Sequence, residues 1–254
     1  MKTLIINFIR PRFTIFSVKN NSIRLGSNYG GKSILELPSL YGGWVISAGA
    51  GEDLSFDFEL IKRFNCKIVI LDPTPRAILY FKELMKHFGN SSKSNYSNSG
   101  TQPFNSYDLR DINRSYVFYV AKALWWEEKD VNFFPPLNPS HVSYSIENLQ
   151  STQKIENIIV VPTITVKKLC SQYGIESIAL VKLDIEGASI KVCKHMFSQK
   201  IFPQQIVIEF DELLYPKFRN ILNIRMMQLI FFLNRYRLGT KTSNMEVTYF
   251  RRSD

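Results

Sequence analysis

Residues 44–72, WVISAGAGEDLSFDFELIKRFNCKIVILD, decide the fold. Two short runs rich in β-branched residues, WVISAG (44–49) and KIVILD (67–72), enclose a segment of different periodicity. Its apolar residues recur at the spacing of one helix face, at Phe56, Leu60, Ile61 and Phe64. Short apolar runs are typical of buried strands, and the segment between them is typical of a crossover helix. The stretch therefore predicts a strand–helix–strand unit of a parallel sheet.

The same alternation continues towards the C-terminus. A polar stretch rich in Ser and Asn, residues 90–115, is predicted to be a loop, and the aromatic segment 125–141 a packed loop. Strands are predicted over 115–124, 177–187, 204–213 and 245–252, and helices over 77–88, 166–173, 189–197 and 226–233. For the helix at 166–173, Thr163 or Thr165 is the expected N-cap and Gly174 the C-cap. The chain is thus predicted to be an α/β protein.

Composition excludes several classes of protein. The 32 basic and 22 acidic residues give a net charge of +10, but the basic residues are scattered and give no strong nucleic-acid signal. Three cysteines without C-x-x-C pairing and three distant histidines predict neither a disulfide framework nor a metal site. The apolar run TLIINFI (3–9) is too short to span a bilayer. We expect a cytoplasmic protein, with weak peripheral membrane contact left open.

Four stretches with candidate site residues follow predicted strands: GAGED (49–53), DPTP (72–75), DIEG (184–187) and EFDE (209–212). In an open parallel sheet, ligands bind outside the carboxyl ends of the strands, so these stretches are expected to meet at one site. An acid at the position of Asp72 can accept hydrogen bonds from both hydroxyls of a ribose. The alternative is a helix cap, because Asp followed by Pro is also typical of a helix start.

The glycine-rich turn itself distinguishes between ligands. A dinucleotide loop reads G-x-G-x-x-G and faces a pyrophosphate, whereas this chain reads G-A-G-E-D-L. Glu52 and Asp53 would repel a pyrophosphate, but they are compatible with S-adenosylmethionine, which carries a sulfonium and an ammonium group. The turn therefore favours a methyl donor over a nicotinamide dinucleotide.

Residues 44–60, 68–77 and 178–192 resemble the FkbM-type class I S-adenosylmethionine-dependent methyltransferases, and LGSNYGGK (25–32) and HVSYSI (141–146) are similar to segments of that group. The resemblance covers roughly residues 25–213. It implies a three-layer, Rossmann-like sandwich with a mostly parallel seven-stranded sheet and an antiparallel last strand. We predict an N-terminal extension, residues 1–40, packed on a methyltransferase domain, residues 41–254.

The resemblance also implies the donor site. Gly49, Ala50 and Gly51 would lie under the methionine portion, with Glu52 or Asp53 near its amino group. The ribose would bind Asp72, and the sulfonium would face Asp184. The adenine would be flanked by Pro73, Thr74, Lys122, Ala123 and Leu124. One departure from the family is Ser47, which stands where an acid is usual.

Methyl transfer to a hydroxyl needs positioning and a base. The candidate bases are Asp184, Glu186 and His141, although Lys182 shares a face with Asp184 and an ion pair is the alternative. Glu209 and Asp211 form a second acidic pair; a divalent cation there is less favoured than a metal-free site. The resemblance implies O-methylation of a sugar or another hydroxylated small molecule. The alternatives are a nucleic-acid methyltransferase and a non-catalytic donor-binding module, with a nicotinamide-dependent oxidoreductase last.

Overall fold

The computed structural model describes residues 11–15, 21–135, 144, 158–213, 217–241 and 246–252. Its strands are β1 (Ser22–Leu25), β2 (Lys32–Leu35), β3 (Trp44–Ala48), β4 (Lys67–Leu71), β5 (Val117–Val120), β6 (Ala123–Leu124), β7 (Asp130–Phe133), β8 (Ile159–Ile164), β9 (Ile178–Leu183), β10 (Gln205–Glu209), β11 (Tyr236–Lys241) and β12 (Glu246–Arg251). The α-helices are α1 (Ser55–Phe64), α2 (Pro75–Leu84), α3 (Val166–Tyr173), α4 (Ser189–Ser198) and α5 (Phe218–Leu233).

Seven of these strands form the central sheet, in the order β11-β12-β10-β9-β3-β4-β5. The five strands from β10 to β5 in that order are parallel to their neighbours, and β12 is antiparallel to both β10 and β11. The mostly parallel seven-stranded sheet with an antiparallel last strand is therefore confirmed. Because β3 lies between β4 and β9, the chain changes winding direction there, which is where ligands bind in such sheets.

Helices cover both faces of the sheet and make three layers. On one face, buried side chains of α3, α4 and α5, including Leu169, Met196 and Phe231, pack in a single core cluster. On the other face, buried side chains of α1 and α2, including Phe56 and Tyr80, form a second cluster. The sheet is thus buried on both sides, which explains the near-continuous apolar runs of its central strands.

Several predicted boundaries differ from the structure. The predicted strand 115–124 is interrupted: β5 belongs to the central sheet, whereas β6 pairs with β8 in a small three-stranded sheet with β7. Strand β8 is not among the predicted strands, and it contains Pro162, a residue that is rare inside strands. The predicted caps of α3 are confirmed, since Thr165 accepts a hydrogen bond from the Lys168 amide and Gly174 is left-handed.

A hairpin of β1 and β2 packs on the sheet next to β10 and β12. The buried Gln205 side chain pairs with the backbone of Leu35 at 2.9 and 2.7 Å, and the Thr248 hydroxyl donates to the Ser33 carbonyl at 2.6 Å. These bonds fix the register of β2 and place Lys32 beside the ends of the central strands. The division of the chain at residue 40 stays a prediction. Among the described residues, no helix is long and apolar enough to cross a membrane.

Candidate active site

A cavity of about 630 Å³ lies at the carboxyl ends of the central strands. Its lining includes Glu186 and most of the predicted donor-binding residues, which are Gly49, Ala50, Gly51, Glu52, Asp53, Asp72, Pro73, Thr74, Ala123, Leu124 and Asp184, whereas the predicted Lys122 is not part of it. His141 lies outside the described residues. The volume falls in the range of about 300–1,000 Å³ that is usual for small-molecule sites. The fold therefore brings the sequence-predicted residues together around one space.

The first wall of the cavity, called here the glycine wall, consists of residues 49–53 and 72–74. Gly49 has a φ of 82°, and a Cβ added there would overlap the backbone carbonyl of Asp184. Gly51 has a φ of 54°, a left-handed conformation that glycine adopts without strain. The turn thus depends on glycine both for its direction and for the close approach of β3 to the end of β9.

Asp72 connects the two halves of this wall. Its carboxylate accepts hydrogen bonds from the Gly51 amide at 2.9 Å and from the Thr74 amide and hydroxyl at 2.9 and 2.6 Å. The position of Asp72 is compatible with both sequence interpretations, a helix cap and a ribose ligand, because Asp72 bonds to the start of α2 and also lines the cavity. A carboxylate offers about four acceptor positions, so one remains for a ligand hydroxyl.

Glu52 and Asp53 are both engaged by protein donors. Glu52 receives a bidentate pair from Arg76 at 2.9 and 2.7 Å and a hydroxyl bond from Thr101. Burial opposes ionisation of Glu52, but these hydrogen bonds outweigh burial and hold its pKa below the ordinary value. Asp53 accepts from the Ser27 hydroxyl at 2.5 Å and from the Gly30 amide at 3.1 Å. Hydrogen bonds to these two acids therefore also connect the surrounding loops to the glycine wall.

The second wall, called here the acid wall, carries Asp184, Glu186, Glu209, Asp211 and Glu246, with the two lysines Lys32 and Lys182. Lys32 is almost fully buried, with 6% of its side chain exposed. Its ammonium group lies 2.9 Å from Asp184, 2.6 Å from Glu246 and 3.9 Å from Glu209. Burial lowers the pKa of Lys32, but these three carboxylates outweigh burial and raise it above the ordinary value.

The carboxylates of the acid wall differ in their proton affinity. Burial would raise the pKa of Asp184, yet Lys32 and Lys182 outweigh it and hold that pKa below the usual range. Burial, and then the charge of Asp184, raise the pKa of Glu209 to about 7. Burial and the neighbouring carboxylates raise the pKa of Asp211 to about 8. Asp184 is thus held as an anion, while Glu209 and Asp211 exchange protons near neutral pH.

Lys32 and Asp57 were missed by sequence reasoning. Lys32 precedes the buried Ile34 on the inward face of β2, and a lysine at such a position is the only local signal. Asp57 in α1 is fully buried, and its carboxylate lies beside the buried Ser47 hydroxyl. Burial raises the pKa of Asp57, while the positive charge of Lys182 opposes that shift. An acid is therefore present near Ser47, contributed by a helix instead of the strand.

The residues present fit S-adenosylmethionine. The glycine wall offers Asp72 for a ribose hydroxyl and a turn, Gly49 to Gly51, whose small residues permit close approach. The acid wall offers carboxylates that would compensate the sulfonium and ammonium charges. Within the described ranges, no group of three His, Cys, Asp or Glu side chains is arranged to hold a metal ion.

Comparison with known proteins identifies the family of the chain. Residues 90–237, more than half of the 254-residue chain, match the family model described as the methyltransferase FkbM domain. The structure of the SAH-bound Podospora anserina methyltransferase PaMTH1 aligns with 83% of this chain and 72% of that chain, at 11% identity and a TM-score of 0.40. None of the curated protein sequences matches the chain. The chain therefore belongs to the FkbM family of methyltransferase domains, and its methyl donor is S-adenosylmethionine.

Proposed function

We propose that this methyltransferase transfers the methyl group to an oxygen of a hydroxylated small molecule, such as a sugar. The observation that carries the proposal is the acid wall, in which anionic and proton-exchanging carboxylates line the same cavity as the glycine wall. A hydroxyl must lose a proton as it attacks a methyl group, and an amine already deprotonated needs no such base. The paired carboxylates of Glu209 and Asp211 meet that requirement.

The roles of the residues follow from their partners. The donor supplies an electrophilic methyl group next to a positive charge. Asp72 would accept a hydrogen bond from a ribose hydroxyl, and Gly49 to Gly51 would allow the methionine portion to lie against the backbone. Asp184, held ionised by Lys32 at 2.9 Å, would face the positive charge. Asp184 and Glu186 stay predicted as catalytic residues, with Asp184 acting through its charge.

The proton acceptor is best assigned to Glu209 or Asp211. A base works best when its pKa lies near the operating pH, and both groups are shifted towards neutrality by burial and by like charges. Asp184 is a weaker base, because protonation would have to displace its ion pair with Lys32. In this scheme the hydroxyl proton of the acceptor passes to Glu209 or Asp211 as the new carbon–oxygen bond forms.

The alternative of a nucleic-acid substrate is less favoured by the lining of the site. Eight carboxylates against three basic residues, Arg24, Lys32 and Lys182, line the cavity. Phosphate groups entering such a cavity would be repelled, because the lysines are already paired with the carboxylates.

The proposal is tested with matched acceptors. The purified protein is incubated with deuteromethyl-labelled donor and pairs of polyols and deoxy analogues, and methylated products are detected by mass spectrometry. We expect transfer that depends on one hydroxyl and falls by about two to four orders of magnitude in Glu209→Gln or Asp211→Asn. Transfer to nitrogen alone, or donor binding without transfer to any hydroxyl, would overturn the proposed acceptor class.

A further inference from the structure

Helix α5 carries an apolar face that no described residue covers. Six of its large apolar side chains are between 47% and 68% exposed, namely Phe218, Leu222, Met226, Leu229, Phe232 and Leu233. They are half of the twelve exposed large hydrophobic residues among the described residues. Scattered exposed apolar residues are ordinary, but a contiguous group marks an interaction surface.

The exposed residues form one stripe. At 100° per residue they fall within an arc of about 120°, and the helix is about 24 Å long. The buried residues of α5, Ile221, Ile224, Met227 and Phe231, lie on a different arc and pack in the core. The helix is thus apolar on two faces, one towards the sheet and one towards the outside. The six exposed residues are called here the outer stripe.

The chain segment that carries the outer stripe is strongly basic. Residues 217–241 contain no Asp or Glu and six basic residues, which are Lys217, Arg219, Arg225, Arg235, Arg237 and Lys241. The six positive charges of this segment therefore amount to more than half of the net charge of +10. Arg237 belongs to the same surface, because its guanidinium lies 4.3 Å from the ring centre of Phe232.

An apolar stripe flanked by basic residues matches an anionic lipid surface. The apolar side chains would enter the boundary between headgroups and acyl chains, while Arg and Lys would contact the headgroups. A second copy of this chain fits less well, because a two-fold interface would bring the same six basic residues of each copy together. Nucleic acid also fits less well, since Leu222, Met226, Leu229 and Leu233 offer aliphatic surface, not hydrogen bonds.

We propose that the outer stripe of α5 docks this protein peripherally on anionic membrane lipid. Docking involves the surface of the helix and leaves the fold and the cavity unchanged. It does not depend on the identity of the methyl acceptor.

Vesicle flotation tests the proposal with the full chain. Vesicles of phosphatidylcholine alone are compared with vesicles in which about one third of the lipid is phosphatidylserine. We expect binding to the anionic vesicles only, weakening as salt is raised. The variant Leu222→Ser/Met226→Ser/Leu229→Ser should lose about tenfold or more in vesicle affinity, because it removes the apolar contacts. The matched control, Leu79→Ser/Val160→Ser, changes equally exposed residues elsewhere and should bind as the wild type does.

Methionine oxidation gives an independent readout on the same helix. Met226 is 47% exposed, whereas its neighbour Met227 is fully buried and serves as the internal control. We expect Met226 to be oxidised in the free protein and protected on anionic vesicles. Equal binding to both kinds of vesicle, or unchanged binding of the triple variant, would overturn the proposal. Protection of Met226 in the free protein, a concentration-dependent dimer lost in the triple variant, or RNA that displaces the vesicles would equally overturn it.

Discussion

The glycine wall and the acid wall face the same cavity, yet their carboxylates differ in the groups that they contact. On the glycine wall, Glu52, Asp53 and Asp72 each accept several hydrogen bonds from backbone amides and neutral or basic side chains. On the acid wall, Asp184, Glu209 and Glu246 share the buried ammonium group of Lys32.

This difference suits one wall to donor binding and the other to proton transfer. Carboxylates that accept several bonds from fixed donors keep one geometry, which suits the binding of a donor molecule of fixed shape. Asp184 and Glu209, which share Lys32, differ in proton affinity, and this difference suits the removal of a proton during reaction. Substitutions at or near one wall are therefore expected to have separate effects from substitutions in the other.

The largest effect is expected on removing the shared cation. Lys32→Ala leaves Asp184 and Glu246 without their closest cation, and we expect a loss of about 3 kcal/mol in the free energy of unfolding at pH 8. Without Lys32 the pKa of Asp184 rises in the folded state, so the stability of the variant falls as pH rises. The loss should therefore shrink at pH 5, as measured by urea denaturation. An equal loss at both pH values would show that Lys32 contributes packing and not charge.

A smaller loss is expected beneath the glycine wall. Ser47→Asp restores the acid usual in the family, but it places a second carboxylate near the fully buried Asp57. Two buried carboxylates sharing Lys182 cannot both ionise, so we expect a loss of about 2 kcal/mol in unfolding free energy. Adding Asp57→Asn should recover much of that loss. A Ser47→Asp protein as stable as the wild type would contradict the expected repulsion between Asp57 and a carboxylate at position 47.

On the acid wall, neutral isosteres are expected to stabilise the protein at alkaline pH. The pKa values of Glu209 and Asp211 are raised in the folded state to about 7 and 8, so the folded protein binds more protons than the unfolded chain. The contribution of these two groups to stability must then fall as pH rises from about 4 to 8. Glu209→Gln or Asp211→Asn should each gain on the order of 1 kcal/mol at pH 8 and nothing at pH 4, because both groups are partly screened by solvent. Thermal unfolding at the two pH values measures this, and a gain that does not vary with pH would contradict it.

The smallest effect is expected at the rim of the glycine wall. Arg76 is 45% exposed, so its bidentate pair with Glu52 is screened by water. Arg76→Ala should cost about 0.5–1 kcal/mol in unfolding free energy, less at high salt. Lys86→Ala, which removes a more exposed pair with Glu83, is the matched control and should cost less. A loss above about 2 kcal/mol would mean that Glu52 depends on Arg76 far more than its exposure indicates.

The sequence predicted the glycine wall better than the acid wall, for a physical reason. Residues 49–53 and 72–74 follow strands β3 and β4, so local periodicity already placed them at neighbouring strand ends. Lys32 reaches the acid wall from β2, more than 150 residues before Asp184, through bonds made by Gln205 and Thr248. No local pattern encodes such a contact.

The same reasoning explains the missed strands. The hairpin of β1 and β2 is short and depends on a left-handed Gly26, which a sequence pattern does not distinguish from a loop. Strand β11 reads YRLGTK and lies at the sheet edge; it alternates between buried and more exposed positions, but only two of its residues, Tyr236 and Leu238, are large and apolar. By contrast, the central strands are buried on both faces, and their apolar runs predicted the sheet.

The central claim is that the glycine wall holds the donor through Asp72, and calorimetric titration with S-adenosylmethionine tests it most directly. Wild type should bind the donor, and Asp72→Asn should bind it at least about tenfold more weakly, because a charged hydrogen-bond acceptor is lost. Thr74→Val, which removes the hydroxyl bond to Asp72 but keeps the carboxylate, should bind within about threefold of wild type. Folded wild type that binds no donor, or an Asp72→Asn protein with an unchanged dissociation constant, would contradict the account.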